Sequence, residues 1–321
     1  MTVLAIINPN SLLGDEIKQE LAQRKGLWSE VRLLTTEPDQ VGALTDFAGN
    51  AALVQACDEE TLHDVRLALL LPGGKEQVQK PTGFPEDSIL LVVDPTTFWP
   101  NGIPLVAGLE SEPVAELSGS ILVSPSPVVI LLANLLKPLR ELRPSHAVAQ
   151  VLMPASILDQ AGLDELFQQT RSIVALREEK PTEVFGKQIA FNLLPVSSAN
   201  TSFLEQMDQI LGGVPVVALQ VVQAGVFHSL ACSLFVSFEE DPGLDTVRNR
   251  LEAQPWIEMA GEGDLPSPTD AAAREEILVA DLRASPNRPG SYQLWAVMDN
   301  LTRGGASNVL ELVETLVMPA S

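Results

Sequence analysis

This sequence lacks several features that define whole classes of protein. Its 321 residues include 2 cysteines, Cys57 and Cys232, which provide neither a disulfide framework nor a zinc site. No apolar run approaches the ~20 residues that a membrane-spanning helix needs. The first residues, Met1 to Ile7, contain no basic segment of the kind that opens a signal peptide. We therefore expect a soluble cytoplasmic protein.

Positive charge is also scarce. Lys and Arg number 20 against 42 Asp and Glu, which gives a formal net charge of −22. Nucleic acids and anionic membranes both require a basic face, so we expect neither as a partner. The 45% hydrophobic content is enough for a large core, and the length predicts about two domains. His63 and His146 have no further ligands at metal-binding spacing, so no metal site is predicted.

A helix is predicted near the centre of the chain, directly after the apolar strand Ile121–Val123. Ser126 can accept hydrogen bonds from the first turn, and Pro127 suits the first helical position, which needs no N–H. From Val128 to Leu136 only Asn134 is polar, which predicts a helix buried on all sides. Such a helix start can lower the pKa of a thiol or stabilise an oxyanion. Its first turn nevertheless contains no Cys, His, Asp or Glu.

The N-terminal part of the chain alternates strand, turn and helix. Val3–Ile7 is a continuous apolar run, as in a strand buried on both faces of a parallel sheet. The alternation predicts an α/β domain with a Rossmann-type doubly wound parallel sheet. In such a sheet the first turn usually carries G-x-x-G-x-x-G or G-x-G-x-x-G, whereas this chain has Asn8, Ser11 and Gly14 at the G-x-x-G-x-x-G positions. A plain turn is therefore an alternative to a cofactor cradle, although Asn8 and Asn10 tolerate left-handed conformations.

The second half of the chain has a different pattern of predicted elements. The runs Val214–Val222 and Val226–Phe238 predict long strands, and the alternation from Phe235 to Phe238 predicts a sheet with two different faces. We expect an α+β domain with an open mixed or antiparallel sheet, one face of which a second subunit commonly covers. The pair Gly304-Gly305 predicts a tight turn before a last amphipathic helix, Ala306–Val317.

Five segments of the chain carry a resemblance to a known family. They are Leu136–Leu139, Ala161–Leu166, Ile189–Pro195, Val226–His228 and Leu294–Asn308. In this order they resemble segments of aspartate-semialdehyde dehydrogenases, and the last resembles the closing D-N-L-x-x-G-A-x-x-N segment of that family. The resemblance implies a homodimer with an NADP-binding domain, residues 1–126 plus 304–321, and a catalytic and dimerisation domain, residues 127–303.

The positions that carry the chemistry of that family hold different residues here. The nucleophilic Cys of N-P-N-C-S-T corresponds to Pro127, and the general-base His of G-H-S-E corresponds to Leu230. The arginines for the substrate carboxylate and the phosphate correspond to Gln223 and Trp99, and the glutamine that assists the nucleophile corresponds to Met153. Proline cannot form a thioacyl intermediate and leucine cannot relay a proton, so we expect the family reaction to be absent. The pattern resembles Usg-type homologues, which accompany the dehydrogenase in proteobacteria and lack its catalytic residues.

Three hypotheses for the function remain open. The first is a non-catalytic homodimeric interaction protein, with association with an active paralogue as a further hypothesis. The second is a ligand-binding module that holds NAD or NADP with weakened affinity. Its cofactor-binding candidates are Asn8, Ser11, Gly14, Gly73, Gly74, Asn300, Gly305 and Asn308. The acidic Glu37 lies where it would favour NAD over NADP.

The third hypothesis is a rewired NAD(P)-dependent oxidoreductase that acts on an aldehyde or acyl group. Cys232 would be its nucleophile and His228 its base, because residues four apart on one strand point the same way. The alternative interpretation is simpler, since a Cys in a β run is usually a small buried apolar side chain.

Overall fold

The computed structural model describes residues 3–24, 26, 28–73, 81–94, 102–109, 120–177, 181–196, 200–261 and 263–317. By its internal contacts the chain divides into two compact units. Unit 1 is Met1–Ser126 with Gly305–Ser321, and unit 2 is Pro127–Gly304. Across the described ranges, no helix is long and apolar enough to cross a membrane.

Unit 1 is built on a parallel sheet. Its strands are β1 (Val3–Ile7), β2 (Glu30–Thr35), β5 (Gln55–Ala56), β6 (Leu67–Leu70), β7 (Ile89–Val93), β8 (Gly102–Pro104) and β9 (Ile121–Ser124). Their spatial order is β5-β2-β1-β6-β7-β9-β8, and every neighbouring pair is parallel. The same unit contains the hairpin β3 (Leu44–Phe47) and β4 (Asn50–Leu53), with α1 (Leu12–Gln23), α2 (Glu59–Leu62) and α8 (Asn308–Val317). The predicted Rossmann-type sheet is confirmed.

Strand β1 shows why a continuous apolar run was the right signal for this sheet. Leu4 and Ile6 belong to one buried cluster, which also contains residues of α1 and α8. Ala5 and Ile7 belong to a second cluster. Alternate residues therefore enter different cores, and a polar residue at either face of β1 would be buried without a partner.

Unit 2 is built on a mixed sheet. Its strands are β10 (Pro144–Met153), β11 (Leu193–Val196), β12 (Val216–Ala224), β13 (Leu230–Phe238), β14 (Ile257–Met259), β15 (Ile277–Ala284) and β16 (Ser291–Met298). Their spatial order is β11-β12-β10-β13-β16-β15-β14; the β10–β12 and β14–β15 pairs are parallel and the others antiparallel. The helices are α3 (Pro127–Leu136), α4 (Asp159–Val174), α5 (Asn200–Leu211), α6 (Leu244–Glu252) and α7 (Pro268–Ala271). The predicted α+β domain is confirmed.

Two predictions of local structure are wrong. The strand expected from Val226 begins only at Leu230, because Ser229 adopts φ 70°, which does not fit an extended strand. The pair Gly304-Gly305 is not a tight turn, since both residues lie within a π-helical turn, Thr302–Ser307, that runs directly into α8. Close packing, described below for Gly304, explains the glycine there.

Candidate functional site

The buried helix predicted near the centre of the chain is present, but the predicted cap is wrong, because the buried Oγ of Ser126 has no hydrogen-bond partner among the described residues. α3 starts at Pro127, and all of its residues are buried. Its one polar residue, Asn134, donates from Nδ2 to the carbonyl of Ile130 at 2.9 Å and accepts from Nε1 of Trp256. The helix is therefore a core element of unit 2 whose polar side chain is satisfied by neighbouring protein atoms.

Pro127 lies in a closely packed apolar contact. A Cβ added to Gly304 would lie 2.9 Å from Cβ of Pro127 and 2.8 Å from Cε of Met298. Both distances are far below ordinary carbon–carbon contact, so the Pro127 and Met298 side chains fill the space beside Gly304. Neither side chain carries a nucleophile.

Leu230 extends this apolar contact to the neighbouring strand. It is 0% exposed and lies opposite Met298 in the antiparallel β13–β16 pair. Opposite residues of such a pair point to the same face and touch. We call Pro127, Leu230 and Met298 the apolar triad. None of its members can be ionised or can transfer a proton, and Met298 is a member that the sequence did not predict.

Gln223 uses its side-chain amide to hold the backbone. Its Nε2 donates to the carbonyl of Met153 at 3.0 Å and to that of Pro154 at 2.9 Å, and the residue is 5% exposed. The side chain of Met153 is itself buried. Both amide hydrogens of Gln223 thus bond to backbone carbonyls at the end of β10.

Asn300 is also engaged inside unit 2. Its Oδ1 accepts a hydrogen bond from the backbone N–H of Ser229 at 3.0 Å and from Oγ of Ser156 at 3.1 Å. The first of these bonds fixes the residue whose positive φ delays the start of β13. This cofactor-binding candidate is 2% exposed and connects the short 3-10 helix Ala155–Leu158 with the residue that precedes β13.

Asn308 makes a comparable connection within unit 1. Its Oδ1 accepts from the backbone N–H of Ala107 at 2.9 Å, and its Nδ2 donates to Oγ of Ser124 at 2.8 Å. The residue is 0% exposed, so the start of α8 is fixed to the end of β9. Gly305 lies three residues earlier in the π-helical turn.

The turn between β1 and α1 gives distinct structural tasks to the three family glycine positions. Ser11 is the N-cap of α1, and its Oγ accepts from the backbone N–H of Gly14 at 3.0 Å. A Cβ on Gly14 would lie 2.2 Å from the carbonyl oxygen of Pro9, so only glycine allows α1 to pack on this turn. Asn8 adopts φ 62°, a left-handed conformation that asparagine tolerates, whereas Asn10 does not.

Two candidates lie outside the described residues, namely Gly74 and Trp99. Gly73 is described and lies beside Asn8, because a Cβ on Gly73 would be 2.8 Å from Nδ2 of Asn8. The predicted absence of a metal site stays a prediction, although within the described ranges no three His, Cys, Asp or Glu residues could hold an ion together.

Cys232 and His228, the nucleophile and base of the rewired-enzyme hypothesis, do not lie on one strand. Cys232 lies in β13, whereas His228 precedes the strand and is separated from it by the positive φ of Ser229. The premise that both residues share a strand is therefore wrong. Cys232 is 0% exposed, and burial raises the pKa of its thiol to about 12. A reactive cysteine has the opposite property, a pKa lowered toward neutrality.

Part of the second sheet has an exposed face without acidic or basic side chains. Its central strands β10, β12 and β13 contain no Asp, Glu, Lys or Arg. Their registers place nine residues on one side, which we call the exposed sheet face: His146, Val148, Gln150, Val216, Ala218, Gln220, Ser233, Phe235 and Ser237. Val148 is 54% and Phe235 is 46% exposed, and the two lie opposite each other. The predicted difference between the two faces is confirmed, since Ala147, Ala149 and Val151 on the other side are buried.

Comparison with known proteins gives consistent matches over the whole length. A family model described as semialdehyde dehydrogenase, dimerisation domain, matches residues 136–303. The USG-1 protein homolog of Pseudomonas aeruginosa is 32% identical over 67% of each chain. The aspartate-semialdehyde dehydrogenase of Rickettsia bellii is 25% identical over 98% of this chain and 97% of its own.

Solved structures share the fold. A probable aspartate-semialdehyde dehydrogenase from Pseudomonas aeruginosa superposes with a TM-score of 0.85 at 24% identity over 98% of both chains. The aspartate-semialdehyde dehydrogenase from Candida albicans, solved with NADP, superposes with a TM-score of 0.72 at 12% identity over 99% of this chain and 100% of its own. With the matched dimerisation-domain model and the 32% identical relative, these matches lead to one conclusion: the chain belongs to the semialdehyde dehydrogenase family.

Proposed function

We propose that this chain is a non-catalytic member of the family that acts as a dimeric interaction or ligand-binding protein. The apolar triad carries the proposal. The family reaction needs a thiolate and a base within reach of each other, and the corresponding positions hold the buried side chains of Pro127 and Leu230. Met298 lies beside Gly304, as Pro127 does, and opposite Leu230 in the β13–β16 pair.

Gln223 supports the proposal because it would bind an anionic substrate poorly. Both hydrogens of its amide bond to backbone carbonyls, at 3.0 and 2.9 Å, and the residue brings no positive charge. An arginine–anion contact contributes about 1.5–3 kcal/mol. Loss of the two arginine contacts expected at Gln223 and Trp99 would weaken anion binding by roughly 10²–10⁴-fold.

The exposed sheet face supports a dimer. Interface centres are depleted of charged residues and enriched in aromatic ones, and this face combines Phe235 with three uncharged strands in a chain of net charge −22. The matching family model is itself described as a dimerisation domain. We propose a homodimer formed through this face, and association with an active paralogue through the same face is the alternative partner.

Nucleotide binding is proposed to be weakened. The parallel sheet of unit 1 is of the type that binds dinucleotides, and a relative has been solved with NADP. The amide oxygens of Asn300 and Asn308 already accept hydrogen bonds from protein groups, and glycine remains at one of the three loop positions. Glu37 at the end of β2 would favour NAD over NADP at any remaining site.

The test is an assay of NADP and NAD reduction with aspartate semialdehyde and phosphate, beside an active dehydrogenase of the family. We expect the rate with this protein to equal the rate without enzyme. Cys232→Ser is the matched variant, because it removes the one remaining thiol of unit 2. Turnover by the wild type contradicts the proposal, and its loss in Cys232→Ser would establish the rewired enzyme in its place.

A further inference from the structure

Asn8 lies at the centre of the edge where a doubly wound sheet binds its ligand. It follows β1, which is flanked by β2 and β6, and its φ of 62° is a conformation that glycine and asparagine both adopt. Ligands of such sheets bind outside the carboxyl ends of the strands, and glycine in the first turn lets the backbone approach a pyrophosphate. This chain carries a side chain there.

The side chain of Asn8 connects the ends of all three strands. Its Oδ1 accepts from the backbone N–H of Thr36 at 3.0 Å, from Oγ1 of Thr36 at 3.1 Å and from Oγ1 of Thr35 at 3.3 Å. Its Nδ2 donates to the carbonyl of Leu71 at 3.3 Å. We call this set of contacts the Asn8 bridge. It satisfies both ends of the amide, and the residue is 8% exposed.

Gly73 packs directly on the bridge. A Cβ at Gly73 would lie 2.8 Å from Nδ2 of Asn8 and 3.1 Å from Oε1 of Glu37. The loops after β1, β2 and β6 therefore meet around one amide, and a side chain at Gly73 would require the side chains of Asn8 and Glu37 to shift. A dinucleotide that used this edge would have to separate contacts that the protein makes with itself.

We infer that the Asn8 bridge takes the place of a dinucleotide at this edge and prevents tight binding of NAD and NADP. The residues present fit the cofactor poorly, because a buried amide with its hydrogen bonds made replaces the open backbone of a glycine. This inference rests on the weakened binding of NAD and NADP proposed above and gives a structural cause for it. It concerns unit 1, and its test measures binding, so it can fail while the loss of turnover stands.

The test compares wild type, Asn8→Gly and Asn10→Gly by calorimetric titration with NADP and with NAD. Asn10 is the matched control, because it is exposed in the same loop and its Nδ2 donates to Oε1 of Gln40 at 3.1 Å, not to the end of a neighbouring strand. For the wild type and Asn10→Gly we expect a dissociation constant above about 1 mM. Asn8→Gly should bind at least about tenfold more tightly.

A dissociation constant of the wild type below about 1 mM overturns the inference. An Asn8→Gly variant that folds but binds NAD and NADP no more tightly than the wild type also overturns it. An equal gain in Asn10→Gly also overturns it, since loop flexibility would then be the cause. Hydrogen exchange on the wild type provides a test that needs no variant. The Thr36 amide should be protected without nucleotide and unchanged at millimolar NADP, and fast exchange without nucleotide contradicts the bridge.

Discussion

At the scale of single residues, the positions that the resemblance aligns with the nucleophile and the base hold packed apolar side chains. Pro127 starts a buried helix without needing an N–H donor, and Leu230 begins a strand opposite Met298. Both residues suit their buried positions, since neither side chain brings a polar group that would need a hydrogen-bond partner. The apolar triad is therefore part of the packed core of unit 2. A substitution at its neighbour Gly304 tests how closely this core is packed.

Gly304→Ala should destabilise the protein by about 1–3 kcal/mol, because overpacking a close-packed core costs that much. The new Cβ would lie 2.9 Å from Cβ of Pro127 and 3.1 Å from the carbonyl oxygen of Asp299, neither of which is a flexible side-chain end. Gly261→Ala is the control, since a Cβ there meets nothing within 4 Å; it should change stability by less than about 0.5 kcal/mol. Urea unfolding measures both, and equal midpoints would show that the contact is loose.

At the scale of elements, helix α4 holds a neighbouring segment through two buried polar side chains. Glu165 accepts hydrogen bonds from the backbone N–H groups of Val184 at 2.7 Å and Phe185 at 3.1 Å. Gln169 accepts from those of Ile189 at 2.7 Å and Ala190 at 3.0 Å. The described segment 181–190 forms no helix or strand of its own, so these bonds replace the backbone ladder it lacks.

Glu165→Gln should destabilise unit 2 by about 1.5–3 kcal/mol, because a charge-assisted bond is lost and an amide hydrogen faces a backbone donor. Hydrogen exchange at Val184 and Phe185 should accelerate in the same variant. Asp164→Asn is the control on the same helix: its carboxylate is exposed and accepts from Gln160 at 2.8 Å. Protection at both amides that survives Glu165→Gln would exclude this role.

The elements that could be predicted from sequence are those whose residues are uniformly buried, such as β1 and α3. Helix α5 gave no clear signal, since it opens with Asn200-Thr201-Ser202, residues that favour caps and turns. The β3–β4 hairpin exposes its apolar pair, Leu44 at 72% and Leu53 at 55%, so no buried alternation marks it.

The candidate site could be predicted from the sequence only in part. The types of residue at the family positions could be read from the sequence, but their contacts could not. The partners of Asn8 are 27, 28 and 63 residues away in the chain, and Met298 reaches Pro127 only through the fold. A single sequence contains no local pattern for such contacts, because they depend on where distant strands end.

At the scale of the whole molecule, the distribution of charge distinguishes one surface. A net charge of −22 disfavours self-association by repulsion between copies. Strands β10, β12 and β13 contribute no acidic or basic side chain to the exposed sheet face, so contact between two copies through these strands brings no like charges of theirs together. In a two-fold dimer the same face would meet itself, so Val148 and Phe235 would each be buried twice.

Phe235→Asp should therefore dissociate the proposed dimer. The substitution removes an aromatic contact at two symmetric positions and adds a charge of the sign the chain already carries in excess. Loss of such a contact costs about 2 kcal/mol or more, roughly 30-fold in dimer affinity for each position. Sedimentation equilibrium should show a wild-type dimer and a variant shifted toward monomer at equal concentration.

Leu44→Asp is the matched control, because Leu44 is 72% exposed on the hairpin of unit 1 and the substitution adds the same charge without changing a residue of the exposed sheet face. It should remain dimeric, so that a difference between the two variants isolates the face from the effect of net charge. A monomeric wild type contradicts the dimer itself, whereas equal dissociation of both variants contradicts only the assignment of the face. Because Phe235 is already exposed within one chain, its replacement should change the free energy of unfolding of the monomer by less than about 0.5 kcal/mol.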